Sequence, residues 1–329
     1  MKTFNWGIIG PGSIARDFTD DLKFVKTPQK VTSVLSHHEE SAKEFAIEYN
    51  ISDYYTDIDK FLSNKNFDAV YIASPHTSHY EQTLACLNHQ VPVLCEKPLV
   101  INATQARELI DASEKNNTFL LEGMWIRFLP SIKKVLEIIE SDEIGKVNTV
   151  KASMSFKAPA DDENRYFNPE LGGGSLLDLG IYPVFLAHLI LGKPRRIKAF
   201  GKLSDKGIDE TCAVLIQYKD GSYAMLESSI VSQTELSAEI AGDKGVIKIE
   251  SPWNEKPGSI KVTNYDKTEK EYPCEWEGRG FQYEVEEVIS CIDKKQIYSN
   301  LYCHHFSLDI FETMDEIRKQ IHVKYDSFE

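Results

Sequence analysis

The first 123 residues alternate short unbroken apolar runs with longer segments of helical periodicity, and that alternation leaves few folds open. Phe4 to Ile9, Val31 to Ser36, Ala69 to Ala73, Val91 to Cys95 and Phe119 to Glu122 read as strands. Strands that are apolar throughout belong to sheets covered on both faces, the usual condition of a parallel sheet between helices. Ser13 to Phe24, Glu40 to Tyr49, Ser78 to His89 and Ala103 to Asn116 read as the covering helices. Repetition of strand and helix with right-handed crossovers gives a doubly wound sheet.

After about residue 124 the pattern changes. Helical segments are expected at 130–140 and 175–191, with an early strand at 147–156. Strands then follow one another at 195–203, 211–218, 222–230, 234–241 and 245–250, with turns at KDGS (219–222) and GDKG (242–245). Helices near 281–292 and 304–321 finish the chain. A chain of 329 residues is comfortable for two domains. The expected division is 1–123, an α/β domain, and 124–329, an α+β domain with a large, mostly antiparallel sheet.

A net charge of −14 argues against general nucleic-acid binding and says nothing against a local anion pocket. The N-terminus runs straight into a strand, so no leader peptide is expected. The longest apolar stretch, 176–191, is broken by Asp178, Gly180, Pro183 and His188, so no membrane span is expected either. Six scattered cysteines without a CxxC pair point to neither disulfides nor a metal site, and a reduced cytoplasmic protein is the economical expectation.

Residues 7–15, GIIGPGSIA, place Gly10, Gly12 and Ala15 in the G-x-G-x-x-A spacing between the first strand and the first helix. That context marks a dinucleotide-binding Rossmann domain. Gly10 permits the tight turn, Gly12 lets backbone approach a pyrophosphate, and Ala15 lets helix and strand pack closely. Ser13 and Ile14 open the helix whose N-terminus faces the anion. An NAD site usually has an acid at the end of the second strand; here the stretch reads VTSVLSHHEE. His37 stands near that position, no carboxylate does, and the reading leans to NADP over NAD.

Ligands of open parallel sheets bind outside the carboxyl ends of the strands. SPHTSH (74–79), EKP (96–98) and EGMW (122–125) occupy such ends and bring Ser74, His76, His79, Glu96 and Lys97 to the cofactor side. Pro98 biases Lys97 toward extended backbone and keeps it out of the following helix. G-x-G-x-x-A, EKP about 85 residues later and an α+β second domain together resemble the Gfo/Idh/MocA oxidoreductase family. EGMWIRFLP (122–130), GGGSLLDLGIYPV (172–184) and GIDET (207–211) are most similar to its dimeric dihydrodiol dehydrogenase and NADP-dependent D-xylose dehydrogenase branch.

The resemblance implies hydride transfer between a nicotinamide and a carbon of a sugar, polyol or vicinal diol, with a side chain moving the hydroxyl proton. Lys97 matches the EKP lysine beside the nicotinamide. Tyr182 stands where many relatives carry histidine, which speaks against a myo-inositol type of substrate, and is the expected acid/base, tuned by Lys97. Asp178, four residues before Tyr182 on an expected helix, would orient the substrate hydroxyl or the lysine. Trp125 and Arg127 are expected on the substrate side, Trp125 as a flat apolar wall. The competing expectation is a nucleotide-sensing regulator of the same fold without turnover; such a protein should have lost Lys97 or the acid/base. One face of the broad second sheet must be covered or become an interface, and the resemblance implies that it makes a homodimer, or a tetramer built from one.

Overall fold

The computed structural model describes residues 2–159 and 164–328. The chain forms two compact units, Met1–Phe128 with Glu277–Leu308, and Leu129–Trp276 with Asp309–Glu329.

The first unit is built on a parallel sheet of β1 (Phe4–Ile9), β2 (Gln29–Leu35), β3 (Asp53–Tyr55), β4 (Ala69–Ile72), β5 (Val93–Glu96) and β6 (Leu120–Gly123). Their order is β3-β2-β1-β4-β5-β6, the doubly wound arrangement whose direction reverses between β1 and β4. Every residue of β4, β5 and β6 is buried, as continuous apolarity requires. Strand β3 and the helix Ile58–Asn64 were not anticipated. Asp-Tyr-Tyr is a three-residue edge strand, half in solvent, and lacks the apolar run that marks its neighbours.

Residues 277–308 were expected in the second domain, yet they pack with the first unit. The reason is a buried carboxylate. Asp21 is 3% exposed and accepts the backbone N–H groups of Arg279, Gly280 and Phe281 at 2.8, 2.9 and 3.1 Å. It thereby satisfies the donors that open the helix Phe281–Asp293. Phe281 stacks on Trp125 with centroids 5.2 Å apart and meets Phe18 edge-on at 6.3 Å. Local pattern marks a helix at 281 but carries no sign of a partner some 260 residues away.

The second unit holds an eight-stranded sheet: β7 (Val147–Ser155), β8 (Arg196–Leu203), β9 (Asp209–Gln217), β10 (Tyr223–Ser229), β11 (Ala238–Gly242), β12 (Gly245–Ile249), β13 (Ser259–Asn264) and β14 (Glu269–Pro273). The order is β14-β13-β12-β11-β7-β10-β9-β8, antiparallel except where β7 pairs with β10. β13 and β14 lie beyond the strands read from sequence. Alternation is clean in β9 and β10: Cys212, Val214, Ile216, Ala224 and Leu226 are buried, and Ala213, Leu215, Gln217, Met225 and Glu227 are exposed. The helix Ile181–Leu191 covers the buried face against β7 and β10.

Pro169–Leu191 is helical enough, long enough and apolar enough to cross a membrane by length and composition, contrary to the expectation from its polar interruptions. In the fold, 83% of its apolar window is buried against the rest of the protein, as in a core helix.

Replacing Asp21 with alanine should leave three buried donors without an acceptor and cost about 2–4 kcal/mol. Chemical denaturation read by the fluorescence of the Trp125–Phe281 region should show it, with asparagine at this position costing less.

Candidate active site

The phosphate loop follows β1. Gly10 has φ +86°, and a Cβ there would lie 2.6 Å from the Ser74 nitrogen and 2.7 Å from its Cα, so the turn admits only glycine. A Cβ on Gly12 would meet nothing nearer than the Ala73 carbonyl at 4.0 Å; its bare backbone opens onto free space. The helix Ser13–Asp21 begins there without a side-chain cap and without an acid in its first turn. Ser13 and Ile14 therefore lie at an N-terminus whose dipole and donors suit an anion. A Gly12 cradle that the protein leaves open and a helix end that it leaves uncapped fit an NAD(P) pyrophosphate. Arg16, not anticipated, donates to the Pro11 and Gly12 carbonyls at 2.9 and 3.3 Å and pairs with Glu48, bracing the loop from below.

At the end of β2, His37 and His38 are exposed. The Ser36 hydroxyl accepts the His38 N–H at 3.2 Å, and Glu39 and Glu40 fill the first turn of the helix Glu39–Glu48.

The ends of β4 and β5 are tied together by His79. Its ring is fully buried, with Nε2 2.8 Å from the Ser74 carbonyl and Nδ1 2.8 Å from the Pro98 carbonyl. Burial lowers its basicity and the Lys97 charge adds to this, against the two carbonyls. Both ring nitrogens of His79, expected from sequence at the cofactor, lie against carbonyls of the strand-end loops. Ser74 donates to Gln82 at 2.6 Å. His76 opens the helix His76–Asn88, is 7% exposed, and lies edge-on to His79 at 5.9 Å.

Glu96 ends β5 at 6% exposure, turned inward. It accepts the Tyr71 hydroxyl and, at 3.2 Å, the Lys97 N–H. Lys97 is half-buried, and the Lys97–Pro98 peptide is cis. Glu284 on the helix Phe281–Asp293 has no exposed surface and no hydrogen-bond donor among the described residues; burial, with Glu96 adding to it, pushes its carboxyl well up.

At the end of β6, Glu122 is 2% exposed and accepts three donors, from Leu99, Tyr302 and Ser307. Trp125 and Arg127 occupy the short helix Trp125–Phe128. Trp125 offers one ring face to Phe281. Arg127, expected on the substrate side, is 8% exposed and donates through Nε to the Leu301 carbonyl at 2.8 Å, so its guanidinium holds the 299–302 segment in place.

In the second unit, residues 175–191 are not one α-helix. Leu176–Gly180 is a π-turn that passes into the α-helix Ile181–Leu191. A π-turn holds an extra residue, so Asp178 and Tyr182 do not stand one α-turn apart as their spacing predicts. Two contacts set this register. Asp209 accepts the Ser175 hydroxyl and the Leu176 N–H, both at 2.7 Å. A Cβ on Gly180 would lie 2.9 Å from Leu176 Cδ1 and 3.1 Å from Ser228 Oγ, so glycine lets the turn sit against β10. Asp178 and Tyr182 are 4% and 7% exposed. Asp178 faces Arg165, whose guanidinium nitrogens lie 3.3 and 3.5 Å from its two oxygens. Burial of Arg165 opposes its charge, and Asp178 and Tyr166 outweigh that burial, so it is held firmly cationic. Arg165, Glu122 and Asp209 carried no assignment in the sequence reading, although EGMW and GIDET marked the stretches that hold the last two.

Residues 4–124 match the GFO/IDH/MocA oxidoreductase family, NAD-binding Rossmann fold, and residues 132–248 match the GFO/IDH/MocA C-terminal domain. The chain is 34% identical to trans-1,2-dihydrobenzene-1,2-diol dehydrogenase of Xenopus laevis, covering 97% of this chain and 98% of that one. It is 32% identical to the scyllo-inositol 2-dehydrogenase (NADP(+)) of Bacillus subtilis, covering 97% and 98%. The fold also superimposes on aldose-aldose oxidoreductase from Caulobacter crescentus with a TM-score of 0.88 at 20% identity, covering 98% of each chain. The protein belongs to the GFO/IDH/MocA family of oxidoreductases. Residues 4–124 of its first unit are that family's NAD-binding Rossmann domain.

Burial pushes Asp209 up to about 6, against the ordinary carboxylate value near 4. The folded state therefore holds this proton more tightly than the unfolded chain. The resulting stabilisation is complete below about pH 4 and is lost as pH rises through about 6. Asp209→Asn keeps an oxygen for Ser175 and Leu176 and has no proton to lose. Its melting temperature relative to wild type should therefore rise between pH 4 and pH 7, by the equivalent of about 2–3 kcal/mol.

Proposed function

We propose that this oxidoreductase acts on a secondary alcohol of a ring-borne vicinal diol, a sugar or a cyclitol, and prefers NADP. The observation that carries the reading is the pairing of an open Gly12 cradle at the end of β1 with Lys97 at the end of β5, each a strand terminus where an open parallel sheet takes its ligand. The substrate class rests on the relatives above 30% identity, whose names specify a dihydrobenzene trans-diol and an inositol, both six-membered carbocycles with adjacent hydroxyls. Tyr182 speaks against a myo-inositol type of substrate in the sequence reading; a relative named for scyllo-inositol keeps cyclitols in the class. The NADP preference rests on the end of β2, where exposed His37 and His38 replace a ribose-binding carboxylate.

The bound nicotinamide supplies the hydride acceptor or donor. The protein's task is the proton on the substrate oxygen and the orientation of the carbon that bears it. Tyr182 takes that proton when the alcohol is oxidised and returns it when the carbonyl is reduced. Lys97, just past the end of β5, shares the handling of that proton. Asp178, held by Arg165, orients the hydroxyl. Trp125 provides an apolar wall for a ring face.

Paired titrations with NADPH and NADH, read by nicotinamide fluorescence, followed by a screen of cyclic vicinal diols and aldoses, test this reading. NADPH should bind more tightly. Lys97→Ala and Tyr182→Phe should each retain NADPH binding and lose about 10²–10⁴-fold in kcat. Tight dinucleotide binding with no turnover of any diol, sugar or cyclitol would favour the sensor; wild-type turnover by both variants would remove Lys97 and Tyr182 from the chemistry.

The exposed face of β8–β10 carries Phe200, Leu215, Tyr223 and Met225, with Phe200 78% exposed. Lys151, Lys198, Glu227 and Glu239 are interspersed among them, a mixture of signs that a second copy can match. The reading includes a homodimer through this face. Phe200→Asp should shift a dimer to monomer at micromolar concentration in size exclusion with light scattering, and a wild-type protein already monomeric there would overturn it.

A further inference from the structure

Glu122 has no part in the chemistry above, yet it is a buried carboxylate beside the strand that delivers Lys97. The β5–β6 register sets Cys95 opposite Glu122 and Glu96 opposite Gly123. A Cβ on Gly123 would lie 3.1 Å from the Cys95 carbonyl and 3.3 Å from Glu96 Cα, so this glycine keeps the two strand ends close. From that position Glu122 Oε1 accepts the Leu99 N–H at 3.1 Å, two residues past Lys97. Its Oε2 accepts the Tyr302 hydroxyl at 2.6 Å and the Ser307 hydroxyl at 2.5 Å.

The Leu99 N–H can only donate, so Oε1 must be an acceptor; the Tyr302 and Ser307 hydroxyls donate to a carboxylate and can turn to accept from an amide. A glutamine can therefore keep the hydrogen bonds and lacks only the charge. Burial raises the carboxyl of Glu122, while Ser307, Tyr302, Leu99 and the Lys97 ammonium pull it back. Among the other ionisable groups around it, Glu96 accepts the Tyr71 hydroxyl and the Lys97 N–H, burial pushes the Glu284 carboxyl well up, and burial pushes the Cys95 thiol and the Tyr302 phenol well up; Glu122 is the carboxylate that accepts the Leu99 N–H.

We propose that Glu122 is a positioning residue for Lys97: it clamps the turn after the lysine through Leu99 and supplies a buried counter-charge that keeps the ammonium in place. The inference rests on the reading of Lys97 as part of the proton-transfer site. It gives the C-terminal segment a part in catalysis, because Tyr302 and Ser307 hold the carboxylate that holds the turn.

The test is Glu122→Gln in the full chain with NADPH or NADP bound, measured as the pH dependence of kcat and of kcat/KM together with the NADPH dissociation constant. NADPH affinity should stay within about threefold, because the phosphate loop is untouched. Turnover should fall by about tenfold or more through misplacement of Lys97. The limb of the profile that depends on Lys97 should move toward acid by about one pH unit, since a neighbouring carboxylate has been removed. A folded Glu122→Gln enzyme with wild-type kcat and an unmoved profile overturns the proposal and leaves Glu122 a purely structural group. If the glutamine variant does not fold, Glu122→Asp decides: it keeps the charge and withdraws it from Leu99, so the limb should stay in place while kcat falls, and wild-type kcat overturns the clamp. Lys97→Ala separates the two readings. If it retains turnover, the role of Lys97 fails; if it is inactive while Glu122→Gln behaves as wild type, only the role of Glu122 fails.

Discussion

The structure of the first unit depends on how charge is held at the buried carboxyl end of a parallel sheet. Strands β4, β5 and β6 are buried along their whole length, so polar groups can emerge only where the strands stop. There the chain places Glu96, Lys97 and Glu122 within a few residues of one another in register. Polar and charged groups removed from water need hydrogen-bond partners. The surrounding sequence supplies them: Tyr71 for Glu96, Leu99, Tyr302 and Ser307 for Glu122, and backbone carbonyls for the ring of His79. The side chains that surround Lys97 thus owe their placement to hydrogen bonds with groups far away in sequence.

The second unit meets a similar problem with a different device. The turn that carries Asp178 and Tyr182 is π-helical, a register less favourable than α and retained where other contacts impose it. Asp209 draws the Ser175 hydroxyl and the Leu176 N–H onto one oxygen, and the bare Cα of Gly180 rests against Ser228 of β10. The neighbouring Tyr325 hydroxyl donates to the Gly173 carbonyl at 2.6 Å and fixes the entry to the turn. Each of these contacts joins the helix to strands or to the C-terminal tail. The position of Tyr182 is a property of the whole unit, and the LLDLGIY stretch alone does not determine it.

What the sequence disclosed follows the range of the forces involved. Strands β1, β2, β4, β5 and β6, the glycine turn after β1 and the change of pattern near residue 124 are local in origin, and each was legible. Strand β3 was hidden because an edge strand has no need of apolar residues on both faces. The placement of 277–308 was hidden because it depends on Asp21, a residue that reads as an ordinary surface carboxylate at the end of a helix. Among site residues, Gly10 was legible because backbone geometry alone dictates it, with φ at +86° and Ser74 in the way of any Cβ. His79 and Arg127 were legible as polar residues near strand ends, but the targets of their hydrogen bonds were not. Glu122, Arg165 and Asp209 went unassigned because a buried carboxylate or guanidinium is defined by donors and acceptors that converge only on folding.

A chain of net charge −14 that binds an anionic dinucleotide poses an apparent conflict, which distance resolves. Exposed charges farther than about 8–10 Å from a point are largely screened at physiological ionic strength. What a pyrophosphate meets is the first turn after Gly12, where there is neither a capping side chain nor an acid. Glu48 is paired with Arg16, whose guanidinium also reaches the Pro11 and Gly12 carbonyls. Glu39 and Glu40 stand at the start of the next helix, beyond His37 and His38, and bear on the region past β2. Their charges oppose a 2′-phosphate without opposing a pyrophosphate. On the proposed reading, the choice between the two dinucleotides falls to His37, His38, Glu39 and Glu40 at one helix start, separate from the forces that bind the common part of the cofactor.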